Sequence, residues 1–268
     1  IGPLIEPIIR GIDAPLGGGS QSLTDQVRAA LFSNGEQGGM LDFMLMSSLS
    51  QDSAGATPVT EFMQPIGRAA DLSGNANYPS QDTSGKRPLY TADGALFDGV
   101  DDAMATSGIP YSSPVITLAA GLKSSGNVFS KPVEVGAGAY DSNGAALVRG
   151  FAGAGSFDGY LYGTSFGMSE FIPTQPQPNT SRIIATYDTS KSMSGGAIEI
   201  IRNASPLTRS SSAGASGGGL IGTRPLVLSA LTNGASAYAG SYSRVLTLNR
   251  ALTPDEVVLV DAWIAEVQ

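Results

Sequence analysis

Two Asp-Gly dipeptides five residues apart, Asp93-Gly94 and Asp98-Gly99, leave the segment between them, Ala95-Leu96-Phe97, room for little but a short strand. Asp bonds its own backbone and Gly accepts positive φ, so each dipeptide enters a tight turn cheaply. The same punctuation runs through the chain. Its 35 glycines and 16 prolines in 268 residues, with many Ser, Thr and Asn, cut the apolar residues into short runs. That texture predicts an all-β fold with many turns, at a length that one large sandwich or barrel can fill.

Strands are expected at 115–122, 133–140, 145–151, 181–187, 197–202, 226–231 and 237–246, the spacing of a sandwich. Ser142-Asn143-Gly144 and Thr232-Asn233-Gly234 read as hairpin turns. Residues 153–178 and 205–219 carry so much turn chemistry that they read as long surface loops. Helical spacing is confined to two places. Leu23–Phe32 places Leu23, Val27, Ala30 and Leu31 on one side, with Ser22 or Thr24 as cap. Near the end, Thr253-Pro254-Asp255-Glu256 is a capping box, followed by a stripe of Val257, Val260, Ile264 and Val267 with the single tryptophan, Trp263, at its edge.

Residues 1–20 are different again: apolar patches broken by Pro3, Pro7 and Pro15 and ending in Gly17-Gly18-Gly19. Such a segment is an extended arm, and Ile1, Leu4, Ile5, Ile8 and Ile9 are expected to bury against another subunit or the arm's own domain. This divides the chain into an arm with a short helix, 1–32, and a β domain, 33–268. The start has neither an initiator Met nor the basic-then-apolar pattern of a secretory signal, so it reads as processed, trimmed or renumbered.

A formal net charge of −8 removes the basis for wrapping a phosphate backbone, so no nucleic-acid partner is expected. The longest apolar cluster, Met40–Met46, is interrupted by Asp42 and far too short to span a bilayer, so no membrane insertion is expected. With no cysteine and no histidine, disulfides, thiolate or imidazole metal sites and Ser-His or Cys-His nucleophiles are excluded.

Ordered strings along the chain resemble a known family. Residues 31–39 (LFSNGEQGG), 51–60 (QDSAGATPVT), Gln64-Pro65-Ile66-Gly67, Asp71-Leu72-Ser73-Gly74-Asn75 and Arg87-Pro88 are similar to the opening of laminin-G-like, concanavalin A-like domains in tailed-bacteriophage virion proteins. Phe97-Asp98-Gly99-Val100-Asp101-Asp102 resembles that family's most recurrent string, and residues 242–247 (YSRVLT) with Leu252-Thr253-Pro254-Asp255-Glu256 resemble its exit strand and closing helix. Met40-Leu41-Asp42-Phe43 departs from it, standing where an aromatic-rich string is expected. The resemblance covers about residues 31–268. It implies a two-sheet antiparallel jelly-roll sandwich, concanavalin A-like, on a virion tail, fibre or head-decoration protein. Members bind glycans, proteins or neighbouring subunits, so the fold does not choose among them.

Three groups of residues carry the chemistry. Asp98, Asp101 and Asp102 close the turn-rich stretch and fit either a solvated hairpin end or a calcium site, which needs six or more oxygens. Calcium is the one cofactor the sequence offers a place for, and none is required. Tyr160, Tyr162, Phe166 and Asp158, with Phe157, Gln175 and Gln177, supply the aromatic platform and acceptors of a glycan site, or else anchor their own segment. Arg202, Arg209 and Arg224 form a basic set on an acidic chain. No expected strand carries a Glu-x-Asp or Glu-x-Glu pair of the kind glycosidic hydrolysis uses, Glu134 and Glu199 being isolated acids. The expectation is therefore a non-enzymatic virion structural protein, a homo-oligomer tethered by its arm to other virion proteins and located on the particle surface. Host glycan attachment is the alternative, and a polysaccharide depolymerase a further one.

Overall fold

The computed structural model describes residues 21–125, 130–136, 144–149, 157–162, 166–171, 179–214, 219–229 and 237–268. The arm and both hairpin turns at 142–144 and 232–234 fall wholly or largely outside these residues. Helix α1 (Leu23–Phe32) precedes β1 (Gly38–Asp42). Strands β2 (Leu49–Ser50) and β3 (Arg68–Ala69) pair with each other, and β4 (Leu89–Thr91) turns into β5 (Gly94–Asp98). Strands β6 (Met104–Ala105) and β7 (Ile109–Tyr111) lead to the long β8 (Val115–Ser124). Then come β9 (Ser130–Val135), β10 (Gly144–Arg149), β11 (Phe157–Tyr162) and β12 (Phe166–Phe171). They are followed by β13 (Asn179–Asp188), β14 (Ile198–Arg202), β15 (Ser205–Pro206) and β16 (Arg209–Gly214). Finally β17 (Gly222–Arg224), β18 (Leu226–Leu228) and β19 (Ala239–Leu248) bring the chain to α2 (Pro254–Ala265).

Among the described residues these strands form two large antiparallel sheets. The first runs β15-β14-β13-β8-β19-β5-β4, with β1 also on β19, and the second runs β16-β12-β11-β10-β9-β18-β6. Between them lies the main core, in which Phe97, Leu118, Leu122, Val133, Val135, Leu161, Ile183, Ile198 and Tyr242 are closed from solvent. A second apolar layer covers the outer face of the first sheet. There Val27 and Leu31 of α1 meet Val260, Trp263 and Ile264 of α2 over Ala119, Ile184 and Leu246. The expected jelly-roll sandwich with two helices is the observed fold, and α1 packs as part of the same body.

The seven expected strands are all present, their ends moved by a few residues. Two expected loops are corrected: 153–178 contains β11 and β12, and 205–219 contains β15 and β16. In the structure a Cβ at Gly159 would lie 2.4 Å from Ile198 Cγ2 of the facing sheet, so glycine is what lets β11 approach β14. Gly94 has φ +94°, and a Cβ there would meet the Tyr242 carbonyl at 2.1 Å, which fixes the β4–β5 turn beside β19.

Local signals account for the helices. Ser22 caps α1, its hydroxyl accepting from Asp25 N–H at 3.1 Å. The α2 capping box closes in both directions, and Arg250 clamps Glu256 with two hydrogen bonds of 2.7 Å. Trp263, expected at the edge of the stripe, is buried at its centre, with Nε1–H donating to Thr24 Oγ1 at 3.1 Å. The buried pair Asp42–Arg244 (2.8 Å) joins β1 to β19, and the Arg244 guanidinium also contacts the Trp263 carbonyl and ring and Glu266. Asp71 holds β1 as well: its carboxylate accepts from Met40 N–H, Ser73 N–H and Asn77 N–H. The Asp71–Asn75 string is thus a structural clasp.

Candidate functional site

In a β-sheet, directly paired residues share a face and alternate residues change face. Glu134 pairs with Ala146, Ala146 with Tyr160, and Tyr160 with Met168. Val133, Val135 and Leu161, one position away, belong to the inter-sheet core, so this row lies on the opposite, outer face of the second sheet. Asp158 and Tyr162 stand two positions either side of Tyr160 on β11, and Phe166 is paired with Tyr162. The four residues expected to form a glycan site therefore lie on two adjacent, directly paired strands. Gln175 and Gln177 lie outside the described residues.

Tyr160 requires a correction. Its side chain is 3% exposed, so it is packed away and cannot offer an open stacking surface. Beside it in the sheet, Glu134 and Lys131 are also buried and approach each other at 3.9 Å, burial pushing the Lys131 ammonium below its usual range.

The same register reveals a pair that spacing along the chain hides. Asp158 stands directly opposite Glu170 across the β11–β12 ladder. Twelve residues separate them in sequence, and only the hairpin brings them together.

The acidic group is assembled as expected, with carboxylate oxygens of Asp98, Asp101 and Asp102 all within 4.8 Å of one another. Much of their capacity is spent on the turn itself. Asp98 Oδ1 accepts from Val100 N–H at 2.8 Å, and Asp102 Oδ2 accepts from Asp98 N–H at 3.0 Å. Asp101 lies 3.7 Å from the Lys86 ammonium. Asp102 is closed from solvent, and burial, followed by the neighbouring charges of Asp98 and Asp101, pushes its pKa up to about 6. The group fits a divalent cation in charge and donor type, with oxygens still needed from elsewhere.

The three arginines have separate local duties. Arg202 is buried on the core side of β14, its Nε–H donating to Ser181 Oγ at 3.1 Å. Arg209 holds the carbonyls of Met193 and Ser194 at 2.6 and 2.8 Å, and Arg224 lies on β17. None of the described helices is long and apolar enough to cross a membrane.

The fold is a two-sheet antiparallel jelly-roll sandwich. No protein-family model matches the chain, and no curated protein matches it. Solved structures do. Trypanosoma rangeli sialidase complexed with 2-keto-3-deoxy-D-glycero-D-galacto-2,3-difluoro-nononic acid aligns with a TM-score of 0.53 at 12% identity, over 91% of this chain and 38% of the sialidase. The same sialidase with 2,3-difluorosialic acid aligns at 0.53 and 14% identity, over 85% of this chain and 32% of the sialidase. The chain thus spans about a third of the length of these proteins, and the likeness is one of fold.

Proposed function

We propose that this chain is a non-enzymatic bacteriophage virion protein whose lectin-like jelly roll is displayed on the particle and holds a host surface glycan. The observation that supports the glycan reading is the register of β11 and β12, in which Asp158 and Tyr162 flank Tyr160 on one strand and Phe166 stands opposite Tyr162 on the other. Acceptors beside aromatic residues suit the alternating polar and C–H surfaces of a sugar. The sialidases that share the fold are complexed with sugar acids, which makes sugars the ligand class to test first. The virion reading rests on the ordered sequence strings that resemble phage structural proteins. In it, Ile1, Leu4, Ile5, Ile8 and Ile9 tether a homo-oligomer to neighbouring virion proteins.

Two experiments test the two halves. Binding of the purified chain to an array of bacterial surface glycans is expected to be saturable and to fall in Asp158→Ala and Tyr162→Ala; binding unchanged in both variants sinks the site. Deleting residues 1–20 is expected to abolish incorporation into particles while the β domain still folds; normal incorporation refutes the tether. Calcium at Asp98, Asp101 and Asp102 belongs to the same reading, and a chelator that leaves both stability and glycan binding unchanged removes it.

A depolymerase is the second reading, favoured by Asp158 opposite Glu170. Directly paired residues have Cβ atoms about 4.5–5.5 Å apart, and retaining glycosidases hold their two carboxyl groups about 5–5.5 Å apart. New reducing ends released by the wild-type chain and lost in Glu170→Gln establish this reading; their absence leaves the binding module.

A further inference from the structure

On the outer face of the first sheet, α2 covers only part of the strands. Beyond its last turn Ser241, Lys123 and Thr180 form one cross-strand row on β19, β8 and β13. The neighbouring row contains Gly121 and, where the β19 register shifts between Tyr242 and Val245, Ser243. Together with Asp93 and Gln268 they line a recess of about 100 Å³. At ~30 Å³ per water that holds about three waters.

The recess is built around one hydroxyl. Ser243 is 5% exposed, and its Oγ has no hydrogen-bond partner among the described residues. A Cβ at Gly121 would lie 2.2 Å from that Oγ and 2.8 Å from Gln268 Nε2, so only glycine leaves the hydroxyl its place. A buried hydroxyl without a partner costs stability, and its retention calls for a reason. The rim is chemically mixed and balanced. Lys123 Nζ and Asp93 Oδ2 meet at 2.7 Å, so the one cation and one anion neutralise each other. Donors and acceptors therefore alternate without net charge: an ammonium, a carboxylate, an amide and three hydroxyls.

We propose that this recess binds a neutral polyhydroxylated ligand, a sugar ring whose adjacent hydroxyls complete Ser243 and bridge Lys123 and Asp93. Free anions and cations are both disfavoured, because each meets the opposing member of the ion pair. The assignment rests on the glycan-binding reading for its ligand class alone. It places a sugar contact on the opposite sheet from Asp158 and Tyr162.

The test is an amide NMR titration of the isotopically labelled full chain with glucose, galactose, mannose and N-acetylglucosamine, each added separately. The expected result is saturable shifts at Gly121, Lys123, Ser241 and Ser243 with at least one of them. Ser243→Ala is expected to weaken that sugar about five- to tenfold, the worth of one hydrogen bond. It should melt at the same temperature or higher, since the variant loses an unpartnered buried hydroxyl. Lys123→Ala, at an exposed position, should weaken binding without affecting the fold. Shifts confined to β11 and β12 overturn this site and leave the outer-face reading standing. No shifts with any of the four sugars also overturn it, while the glycan array still judges the other reading. A Ser243→Ala chain that melts lower and binds equally well shows a purely structural serine and refutes the proposal.

Discussion

Replacing Asp102 by Asn should stabilise the protein at neutral pH. The Asp102 pKa is raised from 3.8 to about 6, first by burial and then by the charges of Asp98 and Asp101. A carboxyl that binds its proton more tightly in the folded state costs stability once ionised. The penalty is absent below about pH 3.8, grows as pH climbs and is complete above about pH 6. At ~1.4 kcal/mol per tenfold change in proton affinity the ceiling is ~3 kcal/mol, and relaxation and screening bring it to ~1–2 kcal/mol. Asn keeps an oxygen to accept from Asp98 N–H, so the turn survives. Urea denaturation of both proteins from about pH 3 to about pH 8 reads the difference. The variant's advantage should be nil at the acid end, open between about pH 4 and 6 and then level off. An offset that does not change across that window refutes the assignment of strain to ionised Asp102. If a cation normally relieves the crowding, millimolar calcium should stabilise the wild type and leave the Asn variant unmoved.

Asp42→Ala strands the Arg244 guanidinium in the interior and should cost about 3–5 kcal/mol by denaturant titration, far more than loss of the exposed Arg28–Asp25 pair. Thr253→Ala removes the cap of α2 and should cost ~1 kcal/mol, with the loss seen first as faster amide exchange in the helix's opening turn. Gly159→Val drives a side chain into Ile198 of the facing sheet and should cost ~1–3 kcal/mol; Ile198→Ala in the same chain should recover part of it. Full additivity of those two substitutions would contradict the close approach of the sheets.

What could be read from the sequence was local. The α2 capping box, the Asp93-Gly94 turn and the Ser22 cap each depend on residues a few positions apart, and each is found where spacing puts it. The Asp98–Asp102 cluster was legible for the same reason. Contacts between distant residues were not. Asp42 and Arg244 are 202 positions apart, and nothing around either one names the other. Asp158 and Glu170 become neighbours only after the β11–β12 hairpin forms, a hairpin concealed in a stretch whose turn chemistry reads as a loop. Ser243 carries no pattern at all. Its significance comes from a register shift in β19 and a missing side chain at Gly121 on another strand. Tyr160 shows the converse: its residue type suits a platform, and only the structure shows that it is buried.

Glycan binding without cleavage is read by one incubation of the chain with purified bacterial surface polysaccharide, followed by cosedimentation and a count of reducing ends in the same sample. The chain should sediment with at least one polysaccharide in a saturable manner, less so as Tyr162→Ala, while the number of ends stays constant. Ends that accumulate with time, or a chain that stays in the supernatant with every polysaccharide tried, would contradict it.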